Sequence, residues 1–135
     1  KIDEYLNLKI KRRESFRPFA PSIIESEVEN WFEQKHSSPY MSFVLDVKET
    51  KRTTIPAVTH FNGTGRLQTV SEKLNKKYYD LINEFYKITN VPILLNTSFN
   101  ENEPIVCSPN DALKCFLRTN MDVLCLQNFI IVRKT

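Results

Sequence analysis

Glycine is almost missing from this sequence. Only Gly63 and Gly65 occur in 135 residues, and both fall in one turn. A Gly-rich phosphate loop of the Walker or GxGxxG kind cannot be assembled from them, which sets P-loop and Rossmann sites aside. Histidine is as scarce, with His36 and His60 alone, so a His-rich metal centre cannot come from this chain. The three cysteines, Cys107, Cys115 and Cys125, are an odd number without CxxC or CxxH spacing. That speaks against a disulfide framework or a structural zinc site and fits a reducing cytoplasm. No apolar run approaches the ~20 residues that span a bilayer, and no signal-peptide pattern opens the chain, so no membrane partner is expected. A formal charge of +3 is too small to call for nucleic acid.

What is present is enough for a core. Hydrophobic residues make up 41% of the chain and charged residues 26%, which predicts one compact domain over residues 1–135. The chain opens on Lys1-Ile2-Asp3-Glu4 without an initiator Met, as a piece cut from a longer protein would.

Alternation and helical spacing predict mixed α/β structure. Residues 1–13 suggest a short helix ending in cations: Lys9, Lys11, Arg12, Arg13 and Arg17 lie within nine positions. Phe16, Pro18, Phe19 and Pro21 follow and stiffen the segment, so nearby Lys and Arg heads would be held in place for an anion. Ser22 and Glu25 have the spacing of a capping box and predict a helix to Gln34. Met41 to Val47 alternates as a half-buried strand. The two glycines predict an Asn-Gly hairpin that sets His60, Thr64, Arg66 and Gln68 on one face. Glu72 to Thr89 predicts the principal helix, burying Leu74, Tyr78, Leu81, Ile82, Phe85 and Ile88, with Tyr79 and Tyr86 at the rim. Ile93 to Leu95 reads as a core strand that breaks into Asn96, Thr97, Ser98 and Asn100. Ser108 and Pro109 open another helix, and Val123 to Val132 reads as a bent strand or hairpin. The cysteines sit among apolar residues and read as core packing.

Three separated segments offer one chemistry. Lys11, Arg13 and Arg17 supply cations. His60, Thr64 and Arg66 supply donors and a further cation, and Thr97, Ser98 and Asn100 supply neutral hydrogen-bonding groups. Together they suit an oxyanion with several oxygens, such as a polyphosphate. Spacing offers Ser98 no partner for a Ser-His-Asp arrangement. On the residues alone the prediction ends at an anion or nucleotide site.

Three motifs carry a resemblance. Lys11-Arg12-Arg13-Glu14-Ser15-Phe16-Arg17-Pro18-Phe19-Ala20-Pro21-Ser22 is the first, and Ala57 to His60 with Arg66 to Val70 is the second. Leu94-Leu95-Asn96-Thr97-Ser98-Phe99-Asn100 with Glu103-Pro104-Ile105-Val106 is the third. In that order they resemble the C-terminal domain of carbamoyltransferases of the NodU/CmcH type. The resemblance implies a YrdC-like twisted mixed sheet flanked by helices, with Lys11 and Arg13 matching a Lys-x-Arg pair and Ser98 and Asn100 a Ser-x-Asn pair. It implies that ATP with Mg²⁺ and carbamoyl phosphate give a carbamoyl-adenylate and pyrophosphate. Lys11, Arg13 and Arg66 would neutralise phosphate charge, and Ser98 and Asn100 would hold the carbamoyl or phosphate group. Arg17, His60, Thr64 and Thr97 would line the pocket. The partner it implies is an N-terminal actin-like domain carrying iron or another divalent metal, which passes the carbamoyl group to a small-molecule hydroxyl.

The sequence departs from that family at Asn62, where Asp is usual, and at Asn102, where Gly is usual. It also lacks the earlier Gly-Pro-Arg-Ala-Leu-Gly-like segment, so this piece alone is expected to be inactive. Oligomeric state stays open, a homodimer included. Two competing readings are a YrdC-like nucleotide- or RNA-binding module and a synthase of threonylcarbamoyl-adenylate for tRNA modification. ATP binding lost in Lys11→Ala favours carbamoyl activation, whereas salt-steep RNA binding favours the module.

Overall fold

Ala20–Ile24, strand β1, is buried at every position and has a neighbour on each edge. In the computed structural model, which describes residues 2–12, 14 and 17–134, β1 is the middle strand of a mixed three-stranded sheet. The chain forms two compact units, Pro18–Thr97 and Lys1–Arg17 with Ser98–Thr135.

In the Pro18–Thr97 unit, β1 pairs in parallel with β4 (Gln68–Val70) and antiparallel with β5 (Ile93–Asn96). The registers Ser22↔Gln68 and Ala20↔Asn96 gather three polar side chains. Gln68 Oε1 accepts from the Ser22 hydroxyl at 2.8 Å and from Asn96 Nδ2 at 2.8 Å, tying all three strands. This sheet overturns the capping-box prediction. Ser22 spends its hydroxyl across the sheet, and two ladders outweigh one capping bond. The helix starts only after a 3₁₀ turn, as α2 (Val28–Trp31), although Val28, Trp31 and Phe32 are buried as expected.

The predicted strand 41–47 shrinks to β2 (Leu45–Asp46), with Val47 bridging to Phe32. Met41 has a positive φ of 58°, which breaks the extension, and Phe43 and Val44 are exposed. A short helix, α3 (Glu49–Arg52), follows. The glycine turn forms, with Gly63 N–H donating to the His60 carbonyl at 2.9 Å, but it is not a hairpin. β3 (Thr64–Gly65) pairs back to β2, while β4 leaves for β1. Gly63 has φ +83°, and a Cβ there would meet the Arg52 guanidinium at 2.5 Å. At Gly65 a Cβ would press on Phe32 and the Val58 carbonyl at 3.3 Å.

Helix α4 (Lys76–Thr89) is capped by Asn75, whose side chain accepts from Tyr78 N–H, and is ended by Asn90 in the left-handed region. Its core face keeps two of the predicted residues, Ile82 and Tyr78, and loses the rest. Ile82 is fully buried against Ile24 and Val70, and Tyr78, Tyr79 and Tyr86 pack around it. Leu74, Leu81, Phe85 and Ile88 are exposed.

In the other unit, α1 (Ile2–Tyr5) runs into a π-helical turn, Leu6–Ile10. Helix α5 (Pro109–Arg118) opens on Ser108, whose hydroxyl accepts from Asp111 N–H and donates to the Asp111 carboxylate. It buries Ala112 and Phe116 against Leu124 of β6 (Val123–Leu126), which pairs antiparallel with β7 (Phe129–Val132). Arg133 closes the far end of α5 by donating to the carbonyls of Phe116, Thr119 and Met121. Only Cys115 is core packing. Cys107 and Cys125 are exposed, Cys125 because it alternates with the inward Leu124.

Leu81 separates the two readings of α4. Leu81→Ala is expected to stay within about 0.5 kcal/mol, while Ile82→Ala, buried in both readings, costs about 2–5 kcal/mol as the reference, both measured by urea unfolding.

Candidate functional site

The π turn ends at Lys11, whose backbone N–H donates to the Leu6 carbonyl at 2.8 Å. Asn7, buried in that turn, donates from Nδ2 to the Arg17 carbonyl at 2.9 Å and so ties the start of the chain to the end of its basic segment. Lys11 is turned inward, only 3% exposed. Its ammonium donates to the Ser98 carbonyl at 2.9 Å, Ser98 Oγ at 3.3 Å, the Asn100 carbonyl at 2.6 Å and Asn100 Oδ1 at 2.6 Å. An ammonium has only three protons, so four oxygen neighbours at these distances form a closed cage. The cage holds itself: Ser98 Oγ donates to Asn100 Oδ1 at 2.7 Å, Asn100 N–H donates to the Ser98 carbonyl, and Asn100 Nδ2 donates to the Glu103 carbonyl at 2.6 Å. The Ser98 proton is committed to an amide oxygen, which leaves this hydroxyl a ligand and not an activated nucleophile.

An ion-pair ladder braces the same loop. Arg12, with a positive φ of 45°, reaches Glu101 at 2.9 Å. Glu101, its side chain 10% exposed, also meets Arg118 of α5 at 3.5 Å, and Arg118 donates to Glu103 at 2.6 Å. The Glu103 carboxyl is held down to about 2, chiefly by its own backbone N–H, against a smaller upward push from burial. The N–H groups of Glu101 and Asn102 and the Cys115 thiol add to the lowering. That hydrogen bond to Glu103 also raises the Cys115 thiol, after burial, which is the larger cause. Glu101 and Arg118 went unnoticed in the sequence, and Glu103 was given no role beyond its place in the third motif. The signal was the acidic pair two residues apart directly after Ser98-x-Asn100.

A second cluster lies in the Pro18–Thr97 unit. His60 Nδ1 is 3.0 Å from Thr64 Oγ1, and Thr64 donates its hydroxyl to Asn62 Oδ1 at 2.8 Å. Desolvation lowers the His60 pKa, and the charge of Arg66 lowers it further, both favouring the neutral imidazole. Arg66 is exposed, as are Thr97 and Arg17. Gln68, predicted to share a face with His60, is instead committed to the sheet. Arg13 lies outside the described residues. The structure thus brings together Lys11, Ser98 and Asn100 in one cluster, and His60, Thr64 and Arg66 in another.

A family model described as "Carbamoyltransferase C-terminus" matches residues 1–133. Nodulation protein NolNO of Sinorhizobium fredii is 48% identical over 134 residues, covering 96% of this chain and 20% of that protein. An uncharacterized protein of Synechocystis, sll1178, is 44% identical, covering 98% of this chain and 25% of its own length. Nodulation protein U of Sinorhizobium fredii is 38% identical over 99 residues, or 73% of this chain. The chain therefore spans about a quarter or less of the relatives it matches.

Glu103 gives a signed pH dependence. A carboxyl lowered to about 2 in the fold from an ordinary 4.5 stabilises the fold above pH 4.5, and that contribution is lost as pH falls towards 2. Glu103→Gln should flatten the acid limb of the unfolding curve between those values, as read by circular dichroism.

Proposed function

The chain belongs to the carbamoyltransferase C-terminus family, and from that premise we propose that it is the carbamoyl-activating part of an O-carbamoyltransferase. It forms a carbamoyl-adenylate from ATP and carbamoyl phosphate for transfer to a hydroxyl. The observation that carries this reading is the Lys11 cage: residues 87 and 89 positions apart deliver an ammonium, a hydroxyl and an amide to one place. That donor set suits phosphate oxygens. It does not suit a metal ion, so Mg²⁺ arrives as the chelate of the nucleotide itself.

In this reading the phosphate oxygens of ATP exchange for some of the oxygens around Lys11, and Ser98 turns its hydroxyl from Asn100 to the ligand. The cation then neutralises charge as pyrophosphate leaves. The balance requires a carbamate oxygen to replace pyrophosphate on the α-phosphorus. The phosphate of carbamoyl phosphate leaves as inorganic phosphate, with water supplying the oxygen. The Arg12–Glu101–Arg118 ladder keeps the loop in register during the exchange. Recognition of the hydroxyl acceptor, and transfer to it, fall to a metal-bearing N-terminal domain in a cytoplasmic full-length protein.

The test is pyrophosphate release from ATP in a full-length protein that carries this segment. Release should depend on carbamoyl phosphate, and Ser98→Ala should lower kcat about a hundredfold while the unfolding free energy stays within about 1 kcal/mol of the parent. Pyrophosphate release indifferent to carbamoyl phosphate would contradict the reading.

A further inference from the structure

Helix α4 leaves an apolar stripe in water. Leu81, Phe85 and Ile88 follow at steps of four and three, which is one face of a helix. The face beside it, with Ile82, Tyr78, Tyr79 and Tyr86, seats the helix on the sheet. Leu74 continues the stripe in the turn that leads into the helix. Leu81 is 58% exposed, Leu74 69% and Ile88 82%.

The stripe is symmetric about Leu81, because Leu74 lies seven residues before it and Ile88 seven after. A second copy of α4, turned end for end, therefore sets Leu81 against Leu81 and Ile88 of each copy opposite Leu74 of the other. That self-matching is what a twofold axis demands. The Leu74 end is also concave. Pro39, Tyr40, Leu74 and Tyr78 help to line a hollow of about 260 Å³, with Gln68 and Asn75 on its polar side. Ile88 of the second copy enters that hollow as a knob enters a hole.

Charge selects the same orientation. Lys77 and Glu84 lie on the flank of the stripe away from Ile82, four residues before Leu81 and three after it. In antiparallel helices Lys77 of each copy comes opposite Glu84 of the other, two attractive pairs across one axis. Parallel helices would turn that flank towards the uncharged Asn75, Ile82 and Thr89 side of the second copy, where Ile82 is buried in its own core. Lys76 is held by Glu72 and Asp80, whereas Lys77 makes no ion pair among the described residues. Glu84 holds Lys87 through Oε1 at 2.6 Å and keeps its second oxygen for another cation.

We propose that Leu74, Leu81, Phe85 and Ile88 form the contact between two copies of this chain, with α4 packed antiparallel on α4 about a twofold axis at Leu81. Sedimentation equilibrium of a full-length protein that carries this segment tests it. A dimer is expected, and Leu81→Glu should weaken it at least about tenfold, since the axis sets the two new carboxylates against each other. Circular dichroism should show that variant still folded, because Leu81 packs on nothing in the single copy. Lys77→Glu or Glu84→Lys alone should also weaken the dimer, and the two together should restore it to within about threefold. A dimer indifferent to these substitutions overturns the proposal. So does a monomer at about 100 µM, and protection of Leu81 and Ile88 from hydroxyl-radical labelling in that monomer would assign the stripe to the rest of the longer chain.

Discussion

The unit built from both ends of the chain depends on a buried ammonium. Taking a lysine head out of water costs several kcal/mol unless oxygens replace the lost solvent. Here the replacement comes from a loop almost ninety residues away, through two carbonyls, a hydroxyl and an amide. Satisfying Lys11 therefore fixes the backbone at Ser98 and Asn100, and with it the direction in which Glu101 and Glu103 leave the loop. The carboxylates then meet Arg12 and Arg118. The positive φ of Arg12 is tolerated because anchors hold the backbone on either side of it: the Lys11 cage before, and the Arg17 carbonyl, bonded by Asn7, after.

The second cluster has the opposite character. Around His60 nothing is caged. A short chain of neutral groups joins His60, Thr64 and Asn62, and the charge of Arg66 reaches the ring. One cluster gathers oxygens around a buried charge, and the other is a run of neutral hydrogen bonds.

The sequence showed some of this and concealed the rest for physical reasons. Ser98 and Asn100 were legible because a strand breaking into small polar residues is abrupt, and Lys11 because its cations precede a proline-stiffened stretch. Family resemblance, not spacing, paired them. Ser22 misled because capping boxes are local signals, whereas a strand with two neighbours is stabilised by partners far along the chain. In α4, Ile82 and Tyr78 face the core as predicted, but counting Leu, Phe and Ile made that face too wide, since Leu81, Phe85 and Ile88 are exposed. The sheet accepts Ile82 with Tyr78, Tyr79 and Tyr86 packed around it. The glycine turn was visible, but nothing in the sequence told that its two limbs would join different sheets. The hydrogen bonds joining His60, Thr64 and Asn62 were beyond reach, because they depend on distances among three side chains.

The most direct test of the account is the exchange of the Lys11 ammonium protons, followed by ¹⁵N NMR of lysine-labelled protein. A caged ammonium predicts slow exchange with solvent and through-bond couplings to the carbonyls of Ser98 and Asn100, set apart from the exposed lysines. A Lys11 signal that exchanges as fast as those of Lys73 and Lys77 would contradict the cage and the site built on it.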